Sequence, residues 1–165
     1  MAKAVSLKIL KIKYGGDSIG NDISIVIEVT GELFTRNQKI KTGETFEFNQ
    51  EIKKLHLDTE VDYIPLRIKI TEKDLIFPDS GEINDTLYID VSKFPQIFDF
   101  EIKVQERTKV VSKSTAIFSI TLVADFPKSN LRQYKSPKSG QNYNQYDWEI
   151  EQAVSHWNKE FFSHN

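Results

Sequence analysis

Residues 17–30, DSIGNDISIVIEVT, decide how the rest of the chain is read. From Asp22 to Thr30, Ile23, Ile25, Ile27 and Val29 fall on one face and Ser24, Glu28 and Thr30 on the other, the period-two alternation of a half-buried strand. The residues before it form a short acidic loop. A carboxylate-bearing loop that feeds directly into a core strand puts charge at one end of the body that strand helps to build.

Outward from this stretch the alternation recurs. Residues 5–14 alternate apolar and basic side chains, with a change of phase where Ile9 adjoins Leu10, which predicts a strand with a bulge there, ended by Gly15 and Gly16. Gly31 marks a tight connection into a strand over 32–40. Lys41-Thr42-Gly43 turns the chain, and 45–49 (TFEFN) is a short strand with Phe46 and Phe48 on one face. Residues 51–63 read as a polar connector pinned by Ile52, Leu55 and Leu57. Residues 64–71 are a strand with Leu66, Ile68 and Ile70 inward and Arg67 and Lys69 outward, Pro65 standing near its start where proline is tolerated. A long acidic loop is expected over 72–84, then strands over 86–91, 98–104 and 115–124.

Eight strands separated by turns, with no helical run between them, predict an all-β, eight-stranded antiparallel β-sandwich, since parallel pairs need crossover helices. If successive strands alternate in direction, the connections leaving strands one, three, five and seven share one end. The two acidic loops, 15–21 and 72–84, then meet although they are far apart in sequence.

After Phe126 the composition changes. Residues 127–146 carry Lys128, Arg132, Lys135 and Lys138 among Pro, Ser, Gly, Asn and Gln and no acidic residue, which reads as a flexible basic linker. Asp147 offers an N-cap, and Ile150, Ala153, Val154, Trp157 and Phe161 follow the three-four spacing of an amphipathic helix over 147–162. Trp157 and Phe161 are costly to expose, so this helix is expected to dock on protein, its own sandwich or a partner, ahead of a membrane interface.

Composition narrows the function classes. A formal charge of −2 gives no global field of the kind a dedicated nucleic-acid binder needs, so no nucleic-acid partner is expected. The absence of cysteine excludes disulfides, thiolate metal sites and a cysteine nucleophile, and a reducing cytoplasmic home fits it. The opening residues lack a signal-peptide core, no run of about 18 apolar residues spans a membrane, and Ala2 excludes N-myristoylation. Without export, the sequon at Asn84-Asp85-Thr86 is a chance match.

Three further signals are set aside. Residues 15–22, GGDSIGND, have the glycine spacing of a phosphate loop, but Asn21 and Asp22 stand where lysine and a hydroxyl residue are needed, and a strand follows. His56, His156 and His164 form no pair at ligand spacing, and no nucleophile elbow is present, so no enzyme is expected. Arg67, Lys69, Lys39 and Lys41 offer an outward basic patch of the kind an anionic headgroup would meet, but are read as ordinary outward charges that guard sheet edges.

Four segments carry a resemblance: the opening strand SLKILKIKY, the loop and strand DSIGNDISIVIEV, the segment GETFEF, and LRIKITEKD leading through an acidic loop to NDTLYIDV. Over about residues 5 to 125 their order and spacing resemble the C2 domain, the calcium- and lipid-binding sandwich of synaptotagmins and protein kinase C, in divergent form. The resemblance implies a calcium site built from the first and third loops of one end: Asp17 and Asp22 from the first, Glu72, Asp74 and Asp79 from the third. Glu72 stands where aspartate is usual, and Ile23-Ser24 replaces the usual Pro-Tyr.

The expected function is a non-catalytic interaction module that binds a protein partner in a scaffold or cytoskeletal assembly, with the C-terminal helix as docking element. The alternative is a calcium-dependent, phospholipid-binding peripheral membrane protein whose Leu75, Ile76 and Phe77 enter the bilayer interface while calcium bridges to lipid phosphates. Calcium is the one cofactor expected. The chain is placed in the cytoplasm, at the membrane periphery or on the cytoskeleton.

Overall fold

The computed structural model of the chain describes residues 2–74, 78–107 and 114–128. Eight strands form among them: β1 (Lys3–Gly16), β2 (Asp22–Val29), β3 (Glu32–Lys39), β4 (Thr45–Leu57), β5 (Val61–Glu72), β6 (Asp79–Asp90), β7 (Gln96–Gln105) and β8 (Thr115–Asp125), with a 3-10 turn over Val91–Lys93. All pairs are antiparallel, in two four-stranded sheets ordered β4-β1-β8-β7 and β3-β2-β5-β6. The sandwich is the compact unit that ends at Pro127. Apart from Pro127 and Lys128, the expected linker and helix, with Trp157 and Phe161, lie outside the described residues, as do Leu75, Ile76 and Phe77.

Alternation drives the fold. Ile23, Ile25, Ile27 and Val29 of β2 and Ile64, Leu66, Ile68 and Ile70 of β5 are buried at every second position and meet Val5, Leu7, Ile9, Ile12 and Tyr14 of β1 and Phe118, Ile120 and Leu122 of β8 in one core. Each such aliphatic side chain contributes about 1.5–3 kcal/mol on burial, so the four central strands carry most of the hydrophobic stabilisation. The change of phase in β1 is a bulge: its pairing with both β4 and β8 shifts between Ile9 and Lys11, which keeps both Ile9 and Ile12 in the core.

The structure corrects three expectations. The polar stretch expected as a connector over 51–63 is the second half of β4 and the start of β5, with only 58–60 connecting them and Leu55 and Leu57 buried. The acidic loop expected over 72–84 is short, because Asp79 already pairs with Glu72 and β6 begins there. Arg67 and Lys69 are no edge guards: β5 lies between β2 and β6, and the Arg67 guanidinium bridges Glu28 at 2.6 Å and Glu82 at 3.3 Å across the outer face. Pro65 costs little in this inner strand because the pairing of β5 with β2 stops at Leu66.

The connections after β1, β3, β5 and β7 gather at one end and are tied by backbone hydrogen bonds. Ile40 N–H donates to Asn21 O at 3.0 Å, Gly43 N–H to Tyr14 O at 2.7 Å, Asp17 N–H to Thr115 O at 2.9 Å and Lys73 N–H to Asp22 O at 2.8 Å. The two acidic loops therefore meet, as antiparallel topology requires.

Candidate functional site

The strand period itself brings carboxylates to this loop end. In β5 the inward series Ile64, Leu66, Ile68, Ile70 continues to Glu72, which is 7% exposed. Its cross-strand partner Asp79 opens the inward series of β6 and is 4% exposed. Just past β7 the inward series Ile102, Val104 continues to Glu106, whose carboxylate has a buried oxygen. The last inward layer of the sandwich is thus partly built of acids.

Glu72 sits at the centre. Burial pushes its carboxyl above the usual 4.5, and the charges of Asp74, Asp79, Asp22 and Glu106 push it the same way. The charges that act on it most are all carboxylates. On one side the backbone of Gly20 lies directly against the Glu72 carboxylate, and a Cβ at position 20 would collide with it. Gly20 also has φ +137°, a conformation that favours glycine, so both space and backbone reserve the position.

The other loop acids are anchored in different ways. The Asp17 carboxylate accepts from Thr115 N–H at 2.9 Å, pinning the first loop to the start of β8. Asp79 accepts from Arg107 N–H at 2.8 Å, joining β6 to the connection after β7. Asp22 is exposed and lies 4.0 Å from the Lys39 ammonium. Asp74 is exposed, and its N–H donates to Glu72 O at 3.2 Å.

Of the residues singled out from the sequence, Asp22, Asp74 and Asp79 act on Glu72, and Asp17 stands at the same end, engaged with Thr115. Glu106 joins them and was missed, although counting by twos from Ile102 would have reached it. The donor chemistry suits a hard cation, which prefers carboxylate oxygen. Among the described residues no group of three or more His, Cys, Asp or Glu side chains is arranged so that it could hold a metal ion. His56 is exposed on β4, away from this end.

The opposite end carries a different surface. Tyr63 and Tyr88 are direct cross-strand partners, 65% and 38% exposed, with ring centroids 5.1 Å apart, and the Lys93 ammonium lies 5.9 Å from the Tyr88 ring. No helix among the described residues is long and apolar enough to cross a membrane.

No protein-family model and no curated protein matches this chain. Among solved structures, the chain is similar to the C2A domain of plant extended synaptotagmin 1, at 12% identity over 77% of this chain and 97% of that one, with a TM-score of 0.42. It is also similar to part of human GIVD cytosolic phospholipase A2, at 10% identity in each of two structures. Those matches cover 76% and 78% of this chain and 18% and 16% of the phospholipase chains, with TM-scores of 0.34 and 0.33.

Proposed function

We propose that this sandwich is a non-catalytic binding module that works through its loop end, where Asp22, Glu72, Asp74 and Asp79, with Asp17 beside them, take up calcium. The observation that carries the reading is Glu72: a buried carboxyl whose strongest charged neighbours are four further carboxylates. Such a cluster is unfavourable in isolation and becomes favourable when a divalent cation supplies the missing charge. Bound there, calcium would reverse the sign of the local field and make the end attractive to anionic phospholipid headgroups.

The chain's own contribution is to hold the oxygens in place. Anchored by Thr115 and Arg107 N–H groups, Asp17 and Asp79 are restrained, while Asp22 and Asp74 remain exposed. Because Lys39 lies 4.0 Å from Asp22, it must give way for that carboxylate to serve a cation. The sequence between Asp74 and Asp79, with Leu75, Ile76 and Phe77, supplies apolar side chains suited to a membrane interface.

A calcium titration of thermal stability tests the proposal. Calcium at a hundredfold excess over its dissociation constant stabilises the fold by about 2.7 kcal/mol, a rise of roughly 10 °C in Tm for a domain of this size. An unchanged Tm at millimolar calcium defeats the reading. Vesicles containing phosphatidylserine, sedimented with calcium or with chelator, then decide whether the cation serves a membrane.

The exposed Tyr63–Tyr88 pair favours a second reading, a protein contact at the opposite end in a scaffold or cytoskeletal assembly, with residues 147–162 as a further docking element. Tyr63→Asp should then reduce what co-purifies with the full chain while calcium binding is unaffected.

A further inference from the structure

Tyr14 is fully buried near the C-terminal end of β1, and its hydroxyl bonds the first acidic loop. Ile19 N–H donates to it at 2.8 Å, and it donates to Gly20 O at 3.0 Å. Its ring packs on Phe118 of β8 with centroids 4.4 Å apart. Its backbone takes part too: Tyr14 O accepts from Gly43 N–H, and Tyr14 N–H donates to Glu44 O at 3.0 Å. One residue therefore joins β8, the connection after β3 and the connection after β1.

A phenylalanine would fill the same core volume. The hydroxyl adds one donor and one acceptor in a buried place, which is costly unless both are used. Both are used on consecutive residues of one loop, and the second of these, Gly20, is the backbone that lies against the Glu72 carboxylate. The contacts run without a gap from the core, through the hydroxyl and Gly20, to the centre of the acidic cluster.

We infer that Tyr14 is the positioning residue of the loop end: its hydroxyl holds residues 18–21 down on the core, seats Gly20 on Glu72, and thereby sets where Asp22 presents its oxygens. This rests on the calcium reading for its functional consequence and on the hydrogen bonds alone for its structural part. Ile19, which packs against the core, follows the hydroxyl, whereas Asp17 is held separately, on Thr115 where the pairing of β1 with β8 runs out.

Tyr14→Phe keeps the ring and removes the tie. Amide hydrogen exchange at Ile19 should accelerate at least about tenfold more than at Ile68 in the core, and the calcium dissociation constant should rise about tenfold. Unchanged relative exchange at Ile19 overturns the inference. So does faster exchange with unchanged calcium affinity, since the hydroxyl would then order the loop without positioning Asp22. An unfolded Tyr14→Phe variant also overturns it, because the hydroxyl would be general structural support. If the wild-type protein binds no calcium, the functional reading fails by itself. The positioning claim is then decided by residual dipolar couplings of residues 18–21, which collapse in Tyr14→Phe if the tie holds the loop and persist if it does not.

Discussion

At the loop end of the sandwich, chain segments press on one another: Gly20 lies against Glu72, Asp17 is bonded to Thr115, and Asp79 to Arg107 N–H. At the opposite end the connection between β2 and β3 is a two-residue turn whose Gly31 has no heavy atom within 4 Å of where a Cβ would stand. Acids follow the same division. Glu72 is buried among like charges, whereas Asp90 accepts from Ser92 N–H at 3.0 Å and Ser92 Oγ–H at 2.6 Å, with the Lys93 ammonium 3.8 Å away. One end concentrates unfavourable interactions that a ligand could relieve, and the other satisfies its polar groups locally. Functional sites are commonly drawn from the former kind.

Two glycines put this contrast to its hardest test. Both have positive φ, +137° at Gly20 and +82° at Gly31. Gly20→Ala adds a collision with Glu72 to the backbone strain and should cost about 3 kcal/mol in chemical denaturation. Gly31→Ala meets open space and should cost about 1 kcal/mol, the backbone strain alone. Equal losses at the two positions would erase the distinction between a packed and an open end.

Removing the charge at the centre of the cluster acts in the other direction. Glu72→Gln keeps the shape and takes away repulsion by Asp74, Asp79, Asp22 and Glu106. In chelator it should raise stability on the order of 1 kcal/mol, and in calcium it should lose most of the ligand-induced rise in Tm. A variant that is less stable in chelator would show Glu72 to be structural cement.

Acid should drive the two ends apart. The folded state binds the Glu72 proton more tightly than the unfolded chain does, so the resulting stabilisation is full below the ordinary 4.5 and is lost as pH rises through the raised folded value. Asp90 is the reverse. The Ser92 hydroxyl bond holds its carboxyl below the usual 3.8, so its contribution is present above 3.8 and is lost as pH falls through the folded value. Amide exchange, corrected for intrinsic rates, should therefore slow at Lys73 on acidification from neutrality and quicken at Ser92 below 3.8. Parallel changes at both amides would refute the opposed signs.

How much of this was legible depends on what each feature leaves in the sequence. Inward alternation is written in residue type, so eight antiparallel strands and the meeting of the acidic loops followed from Ile23–Val29 and its counterparts. The extent of β4 was not legible, because register shifts in its pairing with β1 and a positive φ at Asn49 break the period. Nor was the start of β6: as an edge strand it tolerates Ser80, Gly81 and Asn84, which read as turn formers. Glu106 could have been reached by parity. The Tyr14 hydroxyl could not, since its partners are backbone groups of Ile19 and Gly20, and backbone groups carry no residue signature.

The turn between β2 and β3 offers the smallest and most local check. Val29 faces Glu32 across a two-residue connection with φ +50° at Thr30 and +82° at Gly31, so both central residues are left-handed. That geometry matches the twist of a hairpin and favours Asn-Gly, whereas a β-branched threonine resists it. Because nothing lies near Gly31 and Thr30 is exposed, no packing offsets the strain. Thr30→Asn should raise stability by about 0.5 kcal/mol, visible as a higher denaturation midpoint at unchanged slope. Calcium affinity should not move, because the turn lies at the end away from the acids; a change there would mean that the two ends are coupled through β2, whose first residue is Asp22 and whose last is Val29.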